Sequence, residues 1–119
     1  MAHIKAIQKQ AQENDYFRHV LATSEHVQIV IMSIPPGGDI GEETHADNDQ
    51  TLYLVEGSGK VVLEGQANDF NKGDLVLVPA GTRHNFIAAD NSAMKIITTY
   101  SPPHHPEGTI QKTKTGQSS

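Results

Sequence analysis

Two short stretches of this 119-residue chain carry side chains that could act together on one ion. In the first, Glu43, His45 and Gln50 stand between Gly37 and Gly57; in the second, His84 follows Gly73, Pro79 and Gly81. Residues two apart in an extended chain point the same way, so Glu43 and His45 should project side by side. Gln50 joins them after a turn shaped by Asp47, Asn48 and Asp49, and His84 enters from a strand behind Pro79, Ala80, Gly81 and Thr82, whose proline and glycine suit a tight turn. Two imidazoles, one carboxylate and one amide oxygen make a mixed nitrogen and oxygen donor set. Such a set suits one divalent Mn, Fe, Co, Ni or Zn ion better than Ca or Mg, which prefer oxygen alone. Four protein donors on an octahedral ion leave two positions for water, substrate or O₂.

Each of these residues also has a plainer reading. An acidic turn beside a histidine is usually a solvated loop, a lone His84 a satisfied structural histidine, and a lone Gln50 a barrel-lining amide; the metal reading rests on the two stretches together. His104 and His105 are adjacent, and neighbours diverge in extended chain, so they are read as part of a solvated tail rather than a second ligand pair. His3, His19 and His26 have no partner at useful spacing and are placed on the surface.

The elements that must position the site are short apolar runs cut by Gly, Pro, Asn and Asp, the punctuation of an all-β barrel or sandwich. Strand-length runs fall at 27–34, 51–55, 60–65, 75–78, 84–88 and 94–100. Only the start reads as helical: Ile4, Ile7 and Ala11 recur at three- to four-residue steps before Asn14 and Asp15. Residues 101–119 are polar and broken by proline, and are expected to pack loosely or fray. Strand parity puts Leu52 and Leu54 on Gln50's face and Phe86 on His84's face, giving an apolar wall near the metal. On the last long run it turns Met94, Ile96, Thr98 and Tyr100 inward and Lys95 outward. Neither Arg18 nor Arg83 has a parity that favours the interior, so a phosphate-bearing substrate is poorly supported.

Composition narrows the function classes. The formal net charge is −5, with 14 acidic residues against 9 Lys plus Arg, which disfavours nucleic acid as a partner. There is no cysteine, so disulfides, thiolate ligands and cysteine nucleophiles are excluded. The N-terminus lacks the apolar stretch of a signal peptide and no run approaches a membrane span, so a soluble cytoplasmic protein with no membrane partner is expected. The length suits one domain over 1–119, with a core barrel over about 16–100.

The two stretches resemble the paired motifs of the cupin family, G-x5-H-x-H-x3,4-E-x6-G and G-x5-P-x-G-x2-H-x3-N, and match seven of their ten positions. Glu43 replaces the family's first histidine, Gln50 its glutamate and Ala88 its closing asparagine, so the carboxylate changes place while the formal charge is kept. The resemblance implies a cupin double-stranded β-helix, or jelly-roll, with a short N-terminal helical segment, and one metal on Glu43, His45, Gln50 and His84. It also implies a homodimer, in which Tyr53 and Val55, opposite the metal-facing parity, could meet a second sheet. In function the chain is similar to small cupins that act on unsaturated uronates and to phosphomannose-isomerase-like chains. That implies an enzyme that isomerises or tautomerises a sugar-acid-like carbonyl compound. A metal-dependent dioxygenase and a non-catalytic metal- or ligand-binding cupin are the alternatives.

Overall fold

The structure, a computed structural model, describes residues 1–115; residues 116–119 of the expected tail lie outside the described residues. It contains one helix, α1 (Ile7–Glu13), and ten strands: β1 (Arg18–Thr23), β2 (Gln28–Ile34), β3 (Glu43–Thr44), β4 (Asp49–Glu56), β5 (Ser58–Leu63), β6 (Gln66–Asn71), β7 (Leu75–Val78), β8 (Arg83–Ala88), β9 (Met94–Ser101) and β10 (Ile110–Gln111). They form two antiparallel sheets, one of six strands in the order β10-β1-β2-β9-β4-β7 and one of four in the order β3-β8-β5-β6. This is the expected all-β jelly-roll with a short N-terminal helix.

Alternation builds the core. On β2, β4 and β9 every second side chain faces the other sheet, and Val30, Met32, Ile34, Leu52, Leu54, Met94 and Ile96 are sealed there with Phe70, Val61 and Phe86. The inward set expected on β9, from Met94 to Tyr100, is buried as read. At Gly57 φ is 96°, and a Cβ there would stand 2.0 Å from the Ala93 carbonyl oxygen, so the β4–β5 turn accepts only glycine.

Several expectations change once the outer face is seen. Tyr53 and Val55 do not present a free surface, because Ile7 and Ala11 of α1 pack with Ile31, Val55, Tyr53 and Ile97 over the six-stranded sheet. Lys95 points away from the barrel interior as read, yet it is buried. The N-terminal segment crosses it, and its Nζ donates to the Asn14 carbonyl at 2.6 Å and to Ser33 Oγ at 2.9 Å. Strands β1, β6 and β10 fall outside the runs singled out by hydrophobicity.

The tail is the largest correction. The described residues from 102 to 112 are tied down: β10 pairs with the edge of β1, and the Val20 and Phe17 amides donate to the carbonyls of Thr109 and Lys112. A polar segment needs no core of its own when its backbone finds partners on a sheet edge.

Candidate metal centre

The site lies where the two motif stretches meet. Glu43 on β3 stands directly opposite His84 on β8 in the strand register, so these two side chains are cross-strand neighbours. His45 follows β3 immediately, and the Gly81 amide donates to its carbonyl at 2.9 Å, which fastens the turn before His84 to the segment carrying His45. Gly81 has φ 86°, a value that favours glycine. Asp49 accepts from the Ala80 amide at 2.9 Å, so the acidic turn and the proline turn brace one another.

Glu43, His45 and His84 each bring one ligand atom into a cluster whose members all lie within 4.8 Å of one another. His45 and His84 are buried and Glu43 is half-buried. His45 Nε2 is 2.8 Å from Glu43 Oε2, a close pair that lacks the alignment of a hydrogen bond. Ligand atoms this close together, with His84's beside them, are within reach of one shared cation. His84 Nδ1 lies 2.9 Å from the Thr82 carbonyl, which can only accept; Nδ1 therefore carries the proton and Nε2 keeps its lone pair for a ligand role.

Gln50, on β4, is fully enclosed. Its Nε2 donates to Thr98 Oγ1 at 3.0 Å, and that hydroxyl in turn donates to the Thr51 carbonyl. This chain fixes which end of the amide is which and leaves Gln50 Oε1 a buried acceptor without a partner. Buried acceptors are normally satisfied, so the unpartnered atom on Gln50 fits a residue shaped for a metal. The donor set is mixed nitrogen and oxygen, as a transition metal prefers.

The electrostatics follow from the same packing. Burial works against the Glu43 carboxylate, but the His45 ring beside it and the charge of Arg18 outweigh that and hold it below the usual range. Burial pushes the Tyr100 hydroxyl up to about 12, so it stays protonated at neutral pH.

Three residues that the sequence reading left outside the site belong to its surroundings. The His104 ring lies 4.4 Å from the His45 ring, and Tyr100 touches His45, His104 and His105. The tail is held over the cluster by Gln28, whose Oε1 accepts from the His104 and His105 amides and whose Nε2 donates to the His105 carbonyl at 2.7 Å. Burial lowers both histidines, His105 to about 3, so neither adds charge. Arg18 is the third: it is buried on the inward face of β1, two residues from the core residue Val20. Arg83 faces outward as expected. The signals that were available were Gln28, an amide at an inward position of an apolar strand, and the same parity linking Arg18 to Val20. The wall expected from Leu52, Leu54 and Phe86 is present, with Phe86 against the His84 ring. No helix among the described residues is long and apolar enough to cross a membrane.

Comparison with known proteins agrees with this architecture. The cupin domain family matches residues 30–100. YrkC of Bacillus subtilis, an uncharacterized protein, is 38% identical over 115 residues, a stretch covering 91% of this chain and 61% of YrkC, so the chain spans about three-fifths of that relative. The crystal structure of BH2720 from Bacillus halodurans superposes with a TM-score of 0.93 at 35% identity, covering 96% of this chain and 91% of that one. The pectin degradation protein KdgF of Dickeya dadantii is 25% identical over 85 residues, covering 71% of this chain and 76% of KdgF. With both motifs on adjoining strands of a jelly-roll and the family match running across them, the chain belongs to the cupin family.

Proposed function

We propose that Glu43, His45, Gln50 and His84 hold one divalent transition-metal ion, and that this cupin is an enzyme that isomerises or tautomerises a small sugar-acid-like carbonyl compound. The observation that carries the reading is the cluster of Glu43, His45 and His84 ligand atoms within 4.8 Å of one another, with the buried Gln50 Oε1 left without a hydrogen bond. When bound, the ion supplies Lewis-acid polarisation of a substrate oxygen. The chain's own residues do the rest. Thr82 and Thr98 hold His84 and Gln50 in their ligand orientations. Glu43 brings the one formal negative charge among the four donors. Leu52, Leu54 and Phe86 keep water from the inner side, and the Tyr100 hydroxyl stays protonated as a hydrogen-bond donor. Likeness to a pectin degradation protein favours a uronate-like substrate over other carbonyl compounds.

The test is turnover by metal-free and reconstituted protein on a panel of unsaturated uronates, ketoses, aldoses and enolisable diketones, with an oxygen electrode alongside. Metal-dependent conversion without O₂ uptake is expected. O₂ consumption would move the assignment to a dioxygenase, and absence of all turnover to a binding protein.

The chain is further proposed to act as one domain and as a homodimer. With α1 covering Tyr53 and Val55, the apolar surface left for a partner is β7, where Leu75 and Leu77 are 67% and 60% exposed.

A further inference from the structure

Arg18 is the one buried guanidinium among the described residues, and its surroundings do not account for its charge. Its Nη1 donates to the side-chain oxygen of Gln111 on β10, and its flat face lies 5.1 Å from the Phe17 ring centre. Its Nε is enclosed and has no hydrogen-bond partner. No carboxylate among the described residues comes within ion-pair distance of it. An amide and an aromatic ring do not neutralise a cation, the Glu43 carboxylate acts on it only from beyond ion-pair distance, and an incompletely paired buried charge is expensive enough that natural interiors supply a closer counter-ion. It is buried on the inward face of β1, two residues from the core residue Val20, and its charge bears on Glu43, Tyr100, His104 and His105, which places it at the same end of the barrel as the ligand cluster.

We propose that Arg18 is the carboxylate-binding group of this site, its free Nε edge and the Tyr100 hydroxyl receiving the carboxylate of a substrate whose carbonyl end lies toward Glu43, His45 and His84. Two points of attachment, one anionic and one at the cluster, select an oxo or hydroxy acid over a neutral sugar. A planar carboxylate matches the edge of one guanidinium, whereas a phosphate dianion needs further cations and finds none here: Arg83 is on the outside, and Lys95 is occupied under the N-terminal segment. The inference rests on the cluster being the substrate site, but it is tested without the metal.

Metal-free protein is melted with increasing acetate, with acetamide as the uncharged isostere and with inorganic phosphate, for wild type, Arg18→Met and Arg18→Lys; metal uptake is measured separately by mass spectrometry. Acetate should raise the wild-type melting temperature while acetamide and phosphate do not. Arg18→Met should melt at or above the wild type without acetate, because a buried unpaired charge has gone, and should lose the acetate shift. Arg18→Lys keeps the charge but not the Nε edge, and should weaken acetate about tenfold or more; it carries the test if Arg18→Met does not fold. An acetate shift that survives in either variant, or a larger shift with phosphate, overturns the proposal. So does an Arg18→Met protein that folds but melts well below the wild type, which would make Arg18 a structural tie to β10. If metal uptake is absent while acetate binding follows Arg18, the metal reading falls and the carboxylate site stands.

Discussion

Replacing Glu43 by glutamine removes one negative charge and leaves the shape of the side chain almost unchanged. The three clustered ligand atoms lie within 4.8 Å of one another, so some point lies within about 2.8 Å of all three (4.8 Å divided by √3). Taking a unit charge from that distance beside a divalent ion changes the Coulomb energy by roughly 3 kcal/mol at the dielectric of water and roughly 12 kcal/mol at an effective value of 20. Glu43's side chain is 31% exposed, so solvent screening puts the true figure toward the lower end. Even about 3 kcal/mol is roughly two decades in affinity. Gln50→Glu works in the opposite direction: it adds a carboxylate at the amide's position and should hold or improve retention, even though it gives up the bond from Gln50 Nε2 to Thr98. The assay is metal content per chain after identical purification and dialysis, with melting curves in added Mn or Ni. Glu43→Gln should come out largely empty and lose most of the metal-induced rise in melting temperature, while Gln50→Glu stays loaded. A full complement in Glu43→Gln together with loss in Gln50→Glu would show that Glu43 is not a ligand.

Three other outcomes are expected. Gln28→Leu keeps the volume but strips the His104 and His105 amides of their acceptor, so stability should fall by roughly 2–3 kcal/mol in denaturant titration, and limited proteolysis should cut between residues 101 and 109; an uncut tail would mean that β10 and the Asn48 bond to the Pro102 carbonyl secure it without Gln28. His105 is held at about 3, chiefly by burial and next by Arg18, so below about pH 6.5 the unfolded chain takes up a proton that the fold refuses, and stability declines as pH falls toward 3; at pH 5.5 the loss should be about 1 kcal/mol in chelator and should be absent from His105→Asn, while an equal decline in both would assign it elsewhere. Light scattering coupled to size exclusion should give a dimer mass at tens of micromolar and a monomer for Leu77→Lys, and a wild-type monomer would remove the case for an interface at β7.

How far the fold was legible depended on where each strand kept its apolar residues. β2, β4 and β9 carry them at most inward positions, Gln28, Gln50 and Thr98 being the polar exceptions, and match the apolar runs within a residue or two. β6 was not: only Phe70 of its six residues is buried, and the strand exists because its backbone completes the ladder beside β5. β1 opens on Arg18 and His19, which look like surface, and its strand character comes from pairing with Met32 and Ile31 across the sheet. β10 is two residues long and owes its conformation to an edge left open by β1. Hydrophobic periodicity reports what a segment buries, and these three segments are held by what their backbones bond.

The same distinction divides the site. Glu43, His45, Gln50 and His84 could be named beforehand because turn glycines and a proline mark the local geometry that delivers them, and Gly81 turned out to donate to the His45 carbonyl itself. The surroundings had no such marks. His104 and His105 are held at the cluster by Gln28, 76 and 77 residues away, which offers one carbonyl oxygen to both of their amides. Arg18 was expected to lack an inward parity, yet the parity it shares with the core residue Val20 puts a charge in the barrel. A buried amide on an apolar strand and a buried cation without an acid are both debts in hydrogen bonding that another part of the molecule, or a ligand, must meet. Gln28's is met by the tail. Arg18's is met only in part by Gln111, and that remainder turns the reading from a neutral sugar toward an acid.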